Sequence, residues 1–190
     1  MREVIQALGD RFIELLYAPF TTSEMLWIIT PLFLTLILVE LYFARYKFEE
    51  AGWNVAYTNA IVLIFVSLDL LRFLYMRDEL YTITLRNALA IIVGVLGVLF
   101  TVSNFLHLWS RELAFGISGK LPTNFIAYVS IIIIYAQIPI NFITVFASLG
   151  ILVLFFILIK IIRIVVPKAI ELDEEELAER ENAPSPRTFG

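Results

Sequence analysis

The chain has 190 residues, 60% of them hydrophobic and only 17% charged, with a mean hydropathy of +0.86. Ordinary soluble domains hold about 45–50% apolar and about 25% charged residues. The excess here lies in long blocks between Met25 and Val166 that are apolar around their whole circumference, which one soluble core could not hide.

A net charge of −4 and a pI near 5.1 exclude the basic stripe that a nucleic-acid binder needs. The lack of cysteine excludes disulfides and iron–sulfur ligation. The lone histidine, His107, excludes a bis-histidine haem or a His-rich metal site within one chain. No cofactor motif is present, and none is expected to be bound. The expected class is an all-α integral membrane protein. It would be a bundle of about five transmembrane helices, with an N-terminal amphipathic interfacial helix and a short acidic C-terminal tail.

Residues 1–22 hold the first element. From Arg2 to Tyr17, Val4, Ile5, Leu8, Phe12, Leu15 and Leu16 fall on one helical face roughly 120° wide, with Glu3, Gln6, Asp10 and Glu14 opposite. Pro19 ends the pattern. Such a helix lies in the membrane interface or docks on the bundle. Its acidic polar face gives anionic lipid little to attract.

The bundle is expected over residues 23–167. A first span runs from about Met25 to Ala44, with Thr21 and Glu24 at capping-box spacing before it. The second covers about Val55 to Met76 and the third about Asn87 to Trp109. A loop from Ser110 to Leu121 then leads to Pro122, which suits the first turn of a helix. The apolar stretch from Thr123 to Val166 would be roughly 65 Å long as one helix, about twice the hydrocarbon thickness. It must turn, and Gln137-Ile138-Pro139-Ile140-Asn141 is the place. That gives a fourth span of about residues 122–136 and a fifth of about 141–166. The fourth is short enough to be re-entrant. Asn59, Asn87, Asn124 and Asn141 near span starts are read as helix caps.

Residues 168–190 form an acidic tail, with Glu171 to Glu181 read as a short solvated helix and Ala183 to Pro186 as disordered. With five spans, Arg45, Lys47, Arg111, Lys120, Lys160, Arg163 and Lys168 fall on one side. Arg2, Arg11, Arg72, Arg77 and Arg86 fall on the other. The bias predicts a cell-membrane protein with its N-terminus outside and its C-terminus cytoplasmic.

Charges inside spans are functional candidates, because one at the bilayer centre costs at least about 2.5–3.5 kcal/mol. Glu40 lies roughly 22 Å along its helix and Asp69 at a similar depth, so antiparallel spans carry them towards opposite exits. Asp69 and Arg72 are spaced to pair on one face, with Arg45 nearest to Glu40. With Asn104 and His107 these residues are candidates for an ion path or for intramembrane pairing.

Asn87, Ala90, Gly94, Gly97, Thr101 and Asn104 project within about 100° on the third span. This small-residue seam suits close helix packing, and it suggests the third span as the packing centre of the bundle or as a subunit contact, with a narrow pore lining as the minority reading. Gln137, Asn141, Thr144 and Ser148 form a polar cluster at the hairpin, able to satisfy its exposed backbone groups.

Gly116-Ile117-Ser118-Gly119 resembles the Gly-x-Ser-Gly string of rhomboid proteases. Their serine needs a histidine on a later helix, and none follows Ser118. No phosphate loop, potassium-filter string or carboxylate cluster fit for a metal is present. The expected function is therefore non-catalytic. The chain reads as a membrane-embedded subunit or scaffold in the lipid bilayer, with copies of itself or other membrane subunits as partners. The alternative is a small ion channel, or an ion- or proton-coupled transporter using the intramembrane carboxylates.

Overall fold

Backbone groups shielded from water must bond within their own segment, so blocks of this kind fold as helices. A computed structural model describes residues 2–45, 53–82 and 84–166, and the described residues form helices joined by turns. They are α1 (Arg2–Tyr17), a 3-10 turn (Ala18–Phe20), α2 (Ser23–Arg45), α3 (Trp53–Met76), α4 (Leu85–Phe105), α5 (Arg111–Ile117), α6 (Lys120–Tyr135) and α7 (Phe142–Val165). Five segments are long and apolar enough to cross a membrane: α2, α3, α4, α5 with α6, and α7. The acidic tail lies outside the described residues.

Local chemistry sets the helix ends. Ser110 Oγ accepts from the Leu113 N–H and starts α5, a short helix where the sequence suggested only a loop. Thr84 caps α4 through the Asn87 N–H, and Asn141 caps α7 through the Thr144 N–H. Asn141 is the only one of the four asparagines that acts as a helix cap in this way. Asn87 lies inside α4 and binds a loop, Asn124 lies inside α6 and donates to the Lys120 carbonyl, and Asn59 lies within α3. The expected capping box at Thr21 and Glu24 does not form. Thr21 instead closes the 3-10 turn by donating to the Ala18 carbonyl, and α2 starts at Ser23.

Three helices stop in the same way without glycine. Asp78, His107 and Gln137 have φ of 56°, 51° and 55°, in the left-handed region. The next residue's N–H then reaches back five residues, Glu79 to Leu74, Leu108 to Ser103 and Ile138 to Ile133. This is the Schellman arrangement, and it ends α4 four residues before the expected Trp109.

α6 is the packing centre, touching α2, α3, α4, α5 and α7. Its run Ser130 to Tyr135 is buried throughout. The small-residue seam on α4 had suggested that helix instead. Small side chains bring two helices close, whereas a helix with neighbours on all sides needs bulky apolar groups all round.

The two glycines of the seam serve one partner, α3. A Cβ on Gly97 would meet the Ile64 backbone nitrogen at 2.9 Å, and one on Gly94 would crowd the Ser67 hydroxyl. Ser67 Oγ donates to the Ala90 carbonyl at 2.8 Å across this contact. α1 docks on α7 through its second half, with Leu15 buried and the Phe12 ring against Gly150. Val4 and Ile5 of the expected apolar face stay exposed.

The two seam glycines should differ when substituted. Gly97→Ala presses on rigid backbone and is expected to cost about 1–3 kcal/mol, as overpacking does. Gly94→Ala meets a rotatable hydroxyl and should cost less. Thermal unfolding in detergent measures both, and an equal or reversed order would contradict this packing.

Candidate functional site

Polar side chains gather in two layers at opposite ends of the bundle. The first is built on Glu40, near the end of α2 and only 1% exposed. Its Oε1 lies 2.9 Å from Lys120 Nζ on the first turn of α6. Its Oε2 accepts from Nε and Nη2 of Arg163 on α7, both at 3.3 Å. Lys120 Nζ also sits 4.2 Å from the centroid of the Phe43 ring, a cation–π contact. One carboxylate thus ties three helices together. The pairing with Arg45 suggested by proximity in the sequence is not what compensates it.

A cavity of about 410 Å³ opens beside this cluster, lined by Glu40, Lys120, Lys160 and Arg163 and walled by apolar side chains that include Phe115 and Phe156.

The second layer is built on Asp69 of α3. Arg72 Nη2 and Nε donate to its Oδ1 at 2.7 and 3.1 Å, as the spacing predicts. Tyr135 at the end of α6 donates its hydroxyl to Oδ2 at 2.7 Å, and its ring stacks on Phe73 at 3.8 Å.

The adjoining loops share Glu79, which accepts from Gln137 Nε2 at 3.0 Å and lies 3.5 Å from Arg86 Nη1. The Asn87 side-chain amide donates to the carbonyls of Glu79, Leu80 and Thr82. Asn87 therefore leaves the seam to organise the α3–α4 loop.

The remaining candidates take local structural places. Asn104 donates to Ser118 Oγ at 2.9 Å, joining α4 to the end of α5. Thr101 faces the same seam as Gly97, and its hydroxyl has no hydrogen-bond partner among the described residues. His107 is exposed, forms the turn that ends α4, and meets the Trp53 ring edge-on at 4.4 Å. Thr144 donates to the Pro139 carbonyl, and Ser148 to the Thr144 carbonyl. Gln137, Asn141, Thr144 and Ser148 are thus all engaged in hydrogen bonds at or near the hairpin.

Lys120, Arg163 and Tyr135 were not among the expected site residues. A signal existed for the two cations. Span counting puts Glu40, Lys120 and Arg163 at the same end, although it cannot say which spans are neighbours. Nothing in the sequence singles out Tyr135 from the other tyrosines.

The two layers do not meet. Lys120 and Tyr135 stand at opposite ends of α6, roughly 22 Å apart at 1.5 Å per residue. Between them α6 buries Ala127, Tyr128 and Ile131 to Ile134, and the buried hydroxyls of Thr123 and Ser130 turn back onto the local backbone, Thr123 to the Gly119 carbonyl and Ser130 to the Ile126 carbonyl. Among the described residues no group of three His, Cys, Asp or Glu side chains could hold a metal.

Removing one member of a buried pair leaves the other uncompensated, at a typical cost of about 3–5 kcal/mol. Glu40 keeps Arg163 when Lys120 is lost, so Lys120→Met should destabilise the protein by less than that range. Adding Glu40→Gln should recover part of the loss, and the double-mutant cycle in detergent measures it. Additive losses would show that the two side chains do not interact. No protein-family model, curated protein or solved structure matches the chain, so its geometry carries the functional reading.

Proposed function

We propose that the chain is a polytopic membrane protein with a non-catalytic task. It acts as a membrane-embedded subunit or scaffold, packing against copies of itself or other membrane subunits. The observation that supports this most is the separation of the two charged layers by the apolar middle of α6. A conduit needs polar groups or water along a continuous path. Here Glu40 and Asp69 are each engaged within the chain, at opposite ends.

The outer face of α4 offers Ile91, Val95, Val98 and Val102 to lipid or to a partner helix. The Lys/Arg-rich end with Lys120, Lys160 and Arg163 faces the cytoplasm in this reading, as the positive-inside bias favours.

The test is reconstitution together with gentle extraction. Vesicles carrying the pure protein should show no more proton, sodium or potassium flux than empty ones, across gradients and potentials. Extraction from native membranes should yield a homo-oligomer or a stoichiometric membrane partner. Flux that Asp69→Asn or Glu40→Gln reduces would overturn the proposal in favour of transport.

A further inference from the structure

The charges around Glu40 do not balance. Lys120, Lys160 and Arg163 line one cavity with a single carboxylate, which leaves a surplus of two positive charges among the described residues. Lys120 and Arg163 are drawn to Glu40. Lys160 is exposed and has no anionic partner among the described residues. Arg163 uses Nε and Nη2 on Glu40, its side chain is about half exposed, and Nη1 makes no bond among the described residues. The cavity therefore presents an ammonium and part of a guanidinium to an anion, backed by a buried carboxylate that holds the guanidinium in place. Phosphate oxygens suit this donor set, since a guanidinium binds them through several N–H groups and an ammonium as a point charge.

The surroundings of Lys160 indicate which kind of phosphate. Phe156, Val153 and Leu149 lie four, seven and eleven residues before it, so all three share its face of α7. Each is about half exposed. A cationic head at the bundle end thus continues into an apolar track along the same helix face. That is the outline of an amphiphile, whereas a soluble phosphate would have no use for the track. Basic pockets between helices at the Lys/Arg-rich end are where anionic headgroups are met.

We propose that this cavity binds the phosphate of an anionic phospholipid through Lys160 and Arg163, with an acyl chain along Phe156, Val153 and Leu149. The site goes beyond the scaffold reading, and it stands whether the bundle is a subunit or a transporter.

The test uses the whole, delipidated chain. Binding of phosphatidylglycerol, phosphatidylcholine and inorganic phosphate is titrated by native mass spectrometry. Phosphatidylglycerol should bind more tightly than phosphatidylcholine, and free phosphate at the same concentration should not displace it. Lys160→Gln should weaken phosphatidylglycerol binding about fivefold, as expected for one lost interfacial cation. Lys160→Arg should restore it, and Arg86→Gln at the opposite end should leave it unchanged. Lys160 has no partner among the described residues, so the lipid-free unfolding temperature of Lys160→Gln should match the parent and exclude misfolding. Equal binding of the two lipids with no effect of Lys160→Gln would overturn the proposal. Lys160-dependent binding of inorganic phosphate as strong as that of phosphatidylglycerol would overturn it too, by making the ligand a soluble anion.

Discussion

A carboxylate that is 1% exposed cannot stand alone in this fold. Desolvating an ion costs several kcal/mol even after relaxation, and only well-placed opposite charges and hydrogen bonds offset it. Glu40 meets that demand with a lysine from α6 and an arginine from α7, so its compensation fixes which helices surround the end of α2. Ion pairs of this kind contribute little net stability compared with good apolar packing. Their stronger effect is on arrangement, because an alternative order of helices would bury Glu40 unpaired. We take this as a constraint on topology more than a source of stability.

α6 carries the consequence through the molecule. Its first residue pairs with Glu40, its last donates to Asp69, and the isoleucines between them pack on every side. A helix of 16 residues is roughly 24 Å long, a little less than the hydrocarbon thickness. Charged or polar groups close it at both ends. The glycine seam on α4 has a narrower task, since it brings α4 against α3 and leaves a broad apolar outer face. α1 covers part of α7 and leaves its own first turn free. Non-covalent adaptation to neighbours, lipid or protein, is what such a surface can support.

The five apolar segments were legible because each is hydrophobic around its circumference, and their bounds lie within a few residues of the observed helices. The turn near Pro139 and the pairing of Asp69 with Arg72 were legible for local reasons, chain length and helical spacing. Non-local choices were not. Sequence spacing offered Glu40 only Arg45, whereas its partners lie far along the chain on α6 and α7. The seam on α4 drew attention away from α6, because small residues at helical spacing mark one face and the unbroken run Ile131 to Ile134 marks none. α5 and the early end of α4 depend on Ser110 as a cap and on His107 in a left-handed turn. Serine is a common cap, but the seven residues of α5 are too few to show a helical period, and one histidine does not mark where a helix ends.

α6 crosses the whole bundle and is held at both ends. The chain has no cysteine, so introduced pairs can test it without background. One variant carries Phe43→Cys with Leu121→Cys, and the other carries Phe73→Cys with Ala136→Cys, so that Lys120 and Tyr135 keep their carboxylate partners, each treated with a short bifunctional thiol reagent in membranes. Both variants should cross-link efficiently within one chain. Cross-linking at one end alone would mean that α6 turns back within the bundle, and the account would be wrong.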